Sequence, residues 1–333
     1  MDALSLPPTI DLPFSTQWKS SEHFYDNYIS TSTPVLFVNA AAASHALNWR
    51  AISAWRNHSY LVQSSEDCLV PIVFGGCEEN QSGNEQRTKV TMSFHTFLTL
   101  LLLRNGNNND EEETSAVSTT DTSTSTSSTS TSSSRGYLKQ VDLETFPLLR
   151  KDVAPEDMFC PPLNRWWYWF PMFGTCNMWM GNSFSNKTGL HNDDEENVLC
   201  QIIGSKKVLL IAPSEKKHVY VNDLYDSGTE CCDVNASSPD LQQHPLFAKV
   251  KQIYSVTLHP GDVLYIPKYW YHEVQPISIS ISINYFSSTW IQMIWSGTSR
   301  LFWDCLHRLG LYKRGRCVCH NNSSAAAAPV KLD

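Results

Sequence analysis

The sequence predicts a mainly β protein, an antiparallel sandwich or barrel with flanking α-helices, and three observations carry that prediction. The second half runs as one short strand after another: residues 177–180, 198–203, 207–211, 253–258, 263–266, 271–274 and 277–286 are β-prone runs bounded by Gly, Pro and Asp turns. No helices of the βαβ kind intervene between them. The run ISISISINYF alternates strictly, which puts Ile277, Ile279, Ile281 and Ile283 on one face and Ser278, Ser280, Ser282 and Asn284 on the other. A strand with so polar a second face either meets water or lines a polar pocket.

Ahead of these strands, residues 34–38 and 68–74 are short apolar β-prone runs. Residues 93–103 (SFHTFLTLLLL) read as a helix capped by Ser93 and stopped near Gly106. His58 and His95 stand alone in this half and read as ordinary surface or core residues. From residue 105 the chain becomes NGNNNDEEETSAVSTTDTSTSTSSTSTSSS, which has almost nothing to bury against the entropy of ordering, so a disordered insertion is expected. A spacer within one domain and a linker between two look alike in sequence. At the far end, residues 290–311 carry Ile291, Ile294, Trp295, Leu301, Phe302, Trp303 and Leu306 at helical spacing. That stripe fits packing on the barrel or a homodimer contact, and core packing is favoured. The KRGRCVCH that follows reads as a solvated tail. The expected organisation is 1–104, an N-terminal part of the fold; 105–135, the Ser/Thr-rich insertion; 136–288, the core; and 289–333, a C-terminal helix and tail.

Composition narrows the function classes. With 41% hydrophobic residues and 11 tryptophans, a chain of 333 residues has ample material for a core. A formal net charge of -8 gives no general attraction to phosphate backbones or anionic lipid. The opening residues lack a charged start followed by an apolar run, and no segment reaches about 18 consecutive apolar residues. The expectation is a soluble cytoplasmic or nuclear protein with no membrane partner. Ten scattered cysteines read as reduced thiols. Cys231 with Cys232, and Cys317 with Cys319 and His320, lack the matching second pair that structural zinc requires.

The chemistry concentrates in two phrases. KTGLHNDDEENVLCQIIGSKKVLLIAP places His191 and Asp193 two apart, so on an extended strand both side chains point to one face. HPGDVLYIPKYWYHEV offers His272 on a strand that can return antiparallel beside the first. Two histidines and one carboxylate cap one face of an octahedral metal and leave three positions open, which suits non-haem Fe(II) binding an oxoacid and dioxygen. Zinc is the rival, and it needs a general base near bound water; Glu195 and Glu196 are candidates by proximity alone. Lys206, leaving the turn after Gly204, offers a cation for the far carboxylate of an oxoacid, and a surface lysine beside Lys207 is the competing reading.

These phrases, together with YLKQ, FPLLRKDV, MWMGN, SPDLQQHPLFAKV and SISINYF in order, resemble the JmjC family of cupin-fold oxygenases over residues 137–288. The likeness is to the small hydroxylase branch. It implies a double-stranded β-helix, the cupin or jelly-roll barrel. It further implies that His191, Asp193 and His272 hold Fe(II), and that Lys206 binds 2-oxoglutarate with Thr188, Tyr137, Asn197 and Asn284. Asn284 also falls on the polar face of its alternating strand. Asn192 and Phe286 depart from residues frequent in the family and put the substrate in question. The aromatic run RWWYWFP, residues 165–171, is expected to be mostly core, with a role lining the approach as its alternative.

On that resemblance the expected activity is hydroxylation with O2 as co-substrate. A protein or peptide side chain is favoured over tRNA because the acidic balance lacks the charge phosphate contacts need. The alternatives are a hydroxylase of the tRNA wybutosine type, a lysine demethylase, and a silent cupin that binds a partner without turnover.

Overall fold

A computed structural model of the protein describes residues 5–42, 47–65, 67–74, 88–107, 136–159, 173–183 and 187–317. The strands are β1 (Thr9–Asp11), β2 (Ser15–Thr16), β3 (Val35–Phe37), β4 (Leu69–Phe74), β5 (Thr88–Ser93), β6 (Tyr137–Asp142), β7 (Phe173–Gly181), β8 (Thr188–Asp193), β9 (Glu196–Ile203), β10 (Lys206–Ile211), β11 (Thr229–Cys231), β12 (Ile253–Leu258), β13 (Val263–Ile266), β14 (Tyr271–Pro276) and β15 (Ser280–Ser288). The helices are α1 (Ser21–Phe24), α2 (Ala51–Ala54), α3 (His58–Ser64), α4 (Phe94–Asn107), α5 (Pro147–Arg150) and α6 (Trp290–Arg308).

The strands form a six-stranded sheet in the order β1-β12-β10-β14-β8-β11 and a nine-stranded sheet in the order β2-β3-β13-β9-β15-β7-β6-β4-β5. The jelly-roll expectation agrees with this mainly β architecture. Pairing is antiparallel except where β1 meets β12 and β2 meets β3. Strands from both sides of the 108–135 stretch share the larger sheet, since β4 pairs with β6.

Period-two alternation decides what faces what. On β10, Leu209 and Ile211 pack outward with Val219, Phe247 and Tyr271, whereas Val208 and Leu210 face inward against Leu199, Leu264 and Ile266 of the other sheet. Lys206 shares the inward parity. On β9, Val198, Cys200 and Ile202 join the large core behind the nine-stranded sheet, together with Ile281, Ile283 and Tyr285 of β15. Their neighbours Asn197, Leu199 and Asn284 are left facing the interior between the sheets. Ordered this way, β15 is buried along its whole length.

Three expectations need correction or placement. The ISISISINYF strand starts at Ser280, with residues 277–279 in a bend. Those residues bond to the β9–β10 turn: Ile277 N–H donates to Ser205 O at 2.9 Å and Ser205 N–H to Ser278 Oγ at 3.0 Å. From Ser280 onward the alternation holds, with Asn284 of the polar face lining a pocket and Ser282 accepting from Lys206. The C-terminal stripe does not pack wholly into the core, because Ile294, Leu301, Phe302 and Trp303 are exposed. Helix α4 is capped as expected, Thr96 N–H donating to Ser93 Oγ at 3.1 Å, and it continues through Asn107. The rest of the expected 105–135 insertion, the 165–171 aromatic run, Cys319 and His320 lie outside the described residues. His58 and His95 are exposed.

The β9–β10 turn that presents Lys206 depends on Gly204, whose φ is +67° and where a Cβ would fall 1.9 Å from Ile279 O. Gly204→Ala should therefore lower unfolding free energy by about 1–3 kcal/mol. Denaturant titration checks this, and a loss under about 0.5 kcal/mol would contradict the assigned turn.

Candidate metal centre

Pairing between β8 and β14 sets His191 directly opposite His272. Asp193, two residues on, shares the inward face of β8. The three ligand atoms lie within 4.8 Å of one another, and all three residues are buried. His272 Nε2 is 3.5 Å and His191 Nε2 is 3.9 Å from Asp193 Oδ2. Between the His272–His191 and Val274–Thr188 pairs the register shifts by one residue, as at a bulge. That shift turns Thr188 to the same side as His191, which strict alternation would forbid.

The tautomers follow from hydrogen bonding. His191 Nδ1–H donates to Gly189 O at 2.8 Å and His272 Nδ1–H to Trp270 O at 3.0 Å. A carbonyl can only accept, so each Nδ1 carries the proton and each Nε2 presents a lone pair to the common point. Asp193 Oδ1 accepts from Thr229 Oγ1 at 3.2 Å, while Oδ2 is buried with no hydrogen-bond partner. Burial, and then the neighbouring His272, hold the His191 pKa well below its ordinary value. Burial likewise raises that of Asp193, against the opposing pull of His272. A cation at the common point would pull the Asp193 carboxyl back down and push His191 further down, so it would favour the unprotonated ligand atom of each. Two imidazoles and a carboxylate with one orphaned oxygen thus fit a divalent transition metal.

All eight residues singled out in the sequence, His191, Asp193, His272, Lys206, Thr188, Asn197, Asn284 and Tyr137, line one cavity between the sheets. Lys206 is 1% exposed and donates to Ser282 Oγ. Burial alone pulls its ammonium down to about 7. Tyr137 is pushed up to about 12 by burial, opposed by a hydrogen bond with Thr188. Asn284 Nδ2 donates to Asn197 Oδ1 at 3.2 Å, and Trp179 Nε1 donates to Asn284 Oδ1 at 2.7 Å.

Among the lining residues that the sequence reading missed are Trp179, Lys139, Asp226 and Thr229. Trp179 was accessible in principle, because it alternates with the core residues Met178 and Met180 on β7. Lys139 sits two residues beyond Tyr137; burial lowers its pKa and Asp226 raises it. Asp226 and Thr229 precede and begin β11, whose pairing with β8 no local pattern announces.

The glutamates offered as a zinc enzyme's base sit elsewhere. Glu196 accepts from Tyr265 Oη at 2.6 Å, and Glu195 from Ser288 Oγ at 3.2 Å; neither lines the cavity. Among the described residues the triad is the only group of three or more His, Cys, Asp or Glu placed to hold an ion. Cys231, Cys232 and Cys317 are buried and form no disulfide.

A family model described as a cupin-like domain matches residues 20–291. The chain is 26% identical over 279 residues to Jumonji C domain-containing protein 5 of Drosophila melanogaster, covering 84% of this chain and 59% of that one. It is 35% identical over 146 residues to human tRNA wybutosine-synthesizing protein 5, covering 42% of this chain and 40% of the relative. Lysine-specific demethylase 8 of Xenopus tropicalis is 24% identical over 279 residues, covering 81% and 51%. The chain therefore spans well under two thirds of the length of each of these relatives.

If the triad is a metal site, a divalent ion at 100 times its Kd should stabilise the protein by about 2.7 kcal/mol. His191→Ala should abolish the gain. Thermal unfolding with and without Co(II) measures it, and an equal gain in both proteins would place the ion elsewhere.

Proposed function

The chain belongs to the cupin-like domain family, and on that premise we propose that it is an Fe(II)- and 2-oxoglutarate-dependent oxygenase that hydroxylates a protein side chain. The observation carrying this reading is a buried cation, Lys206, in the same cavity as a two-histidine, one-carboxylate set. In this reading His191, Asp193 and His272 hold the iron, and Lys206 pairs with the distal carboxylate of 2-oxoglutarate. Ferrous ion with 2-oxoglutarate and O2 supplies the oxidising power to hydroxylate a C–H bond, the oxoacid leaving as succinate and CO2.

The protein's own residues bind and orient. Fixed Nδ1–H donors hold both imidazoles with Nε2 aimed at the common point, so little reorganisation is needed when the metal arrives. Tyr137 and Thr188 offer hydroxyls beside the cosubstrate, and Trp179 locks Asn284 so that its amide, with Asn197, presents a fixed polar edge. Leu199, Ile266, Val274 and Phe286 supply the apolar part of the lining.

A protein substrate is supported by the net charge of -8, which disfavours a polyanionic partner. Similarity to a protein named for tRNA wybutosine synthesis supports tRNA as the second reading. Mass spectrometry of proteins and tRNA from cells with and without the enzyme discriminates them: a modification confined to tRNA would overturn the protein assignment, and loss of a lysine methyl group would identify a demethylase. Among the described residues no helix is long and apolar enough to cross a membrane. A cytoplasmic or nuclear location accords with the reading. A homodimer through α6 is supported by its exposed Leu301 and Phe302, and molar mass by light scattering tests it, a monomer at all concentrations contradicting it.

Lys206 gives a signed pH dependence. With its free pKa near 7, binding a carboxylate requires taking up a proton at higher pH. Affinity for 2-oxoglutarate should therefore fall as pH rises above 7, approaching tenfold per unit. Lys206→Met should weaken binding on the order of 100-fold or more while raising thermal stability, because an unpaired buried charge is removed. Calorimetric titration measures the affinity and thermal unfolding the stability. Unchanged 2-oxoglutarate affinity in the variant would remove Lys206 from the site.

A further inference from the structure

Residues 222–229 form one wall of the candidate centre, and the C-terminal segment holds that wall. Asp226 and Thr229 line the inner cavity and also an outer groove that takes in Tyr225, Gly228, Arg300 and Trp303. On the inner side, Thr229 Oγ1 donates to Asp193 Oδ1 at 3.2 Å. Asp194 N–H donates to Gly228 O at 3.0 Å, tying the wall to the residue after the ligand.

The outer side is gripped by α6 and the turn beyond it. Arg300 donates to the Asp194 carboxylate. Its guanidinium packs over Gly228, where φ is +79° and a Cβ would come within 3.0 Å of Arg300 Cζ and 2.9 Å of Asp194 Oδ1. Asp304 accepts from Tyr225 Oη and, at 3.2 Å, from Ser227 Oγ. The Tyr225 ring lies 4.6 Å from that of His307 and 5.6 Å from that of Tyr312, and its N–H donates to Arg316 O at 2.8 Å. These contacts join two segments some 75 residues or more apart in sequence, so the wall's shape depends on the helix being in place.

We propose that Arg300 and Asp304 are positioning residues for the metal centre: by fixing residues 222–229 they keep Thr229 against Asp193 and so set the orientation of that ligand carboxylate. The inference rests on the metal reading given above. It assigns to the C-terminal helix a part in the site although its residues are far from the triad in sequence. Arg300 acts twice, through Gly228 on the wall and through Asp194 on the strand end that carries the ligand.

Co(II) titration of the full chain, followed calorimetrically, tests this without turnover. Arg300→Ala and Thr229→Val should each weaken Co(II) by about tenfold, the usual scale for groups that orient a ligand. The double variant should be no weaker than the worse single one, because both changes release the same carboxylate. Arg300→Lys should recover most of the affinity, and hydrogen exchange in Arg300→Ala should speed up within residues 222–229 while β8, β10 and β14 stay protected. Should Arg300→Ala fail to fold, Tyr225→Phe, which removes the hydroxyl bonded to Asp304, supplies the same test with a several-fold loss. Unchanged affinity in Arg300→Ala, or a double variant whose loss is the product of the two single losses, overturns the inference alone. Wild-type protein that binds no Co(II) overturns the metal reading, and the inference with it.

Discussion

β8 and β14 pair antiparallel with His191 opposite His272, and the one-residue shift that follows brings Thr188 round to the same side. Everything in the cavity depends on that register. A slip of one residue would send both histidines to the outer face, where Leu190 and Tyr271 now pack with Val219 and Phe247. The apolar outer residues therefore enforce the position of the polar inner ones. Next to β14, β10 carries Lys206 on the same inward parity as Val208 and Leu210, so the register of one sheet fixes both the ligand set and the cation.

Such an interior is costly for the empty protein. A lysine that is 1% exposed with a serine as its hydrogen-bond partner, and a carboxylate oxygen with no partner at all, lower stability. They contrast with the buried ions elsewhere that are satisfied internally. Glu273 accepts from Ala236 N–H at 2.9 Å and Ser237 N–H at 3.1 Å and pairs with Lys187 at 3.3 Å. Asp152 accepts from Trp55 at 2.9 Å and Tyr60 at 2.7 Å. Lys206 and Asp193 both face the cavity, and a divalent cation with a dicarboxylate complements both of them.

Legibility in the sequence followed the range of the interaction. His191 and Asp193 were visible because a two-residue spacing on a strand fixes a common face, and Asn284 because an alternating strand fixes its own. The mainly β class was visible in the spacing of turns. Local pattern could not place the start of β15, since residues 277–279 bond instead to the turn at Ser205, 73 residues away at the nearest side-chain bond. Nor could it place Asp226 and Thr229, which reach the site through β11 pairing with β8. The helical stripe of α6 was legible as a stripe; which side would meet the protein was decided by Arg300 and Asp304, polar residues that a hydrophobic pattern ignores.

The central claim is that two imidazoles and one carboxylate meet at a single iron. X-ray absorption on anaerobic Fe(II)-loaded protein measures that shell most directly. The account predicts a six-coordinate iron with two imidazole ligands and otherwise oxygen donors, reduced to one imidazole in His272→Ala. A shell containing sulfur, or one whose imidazole scattering is unchanged in that variant, would contradict it.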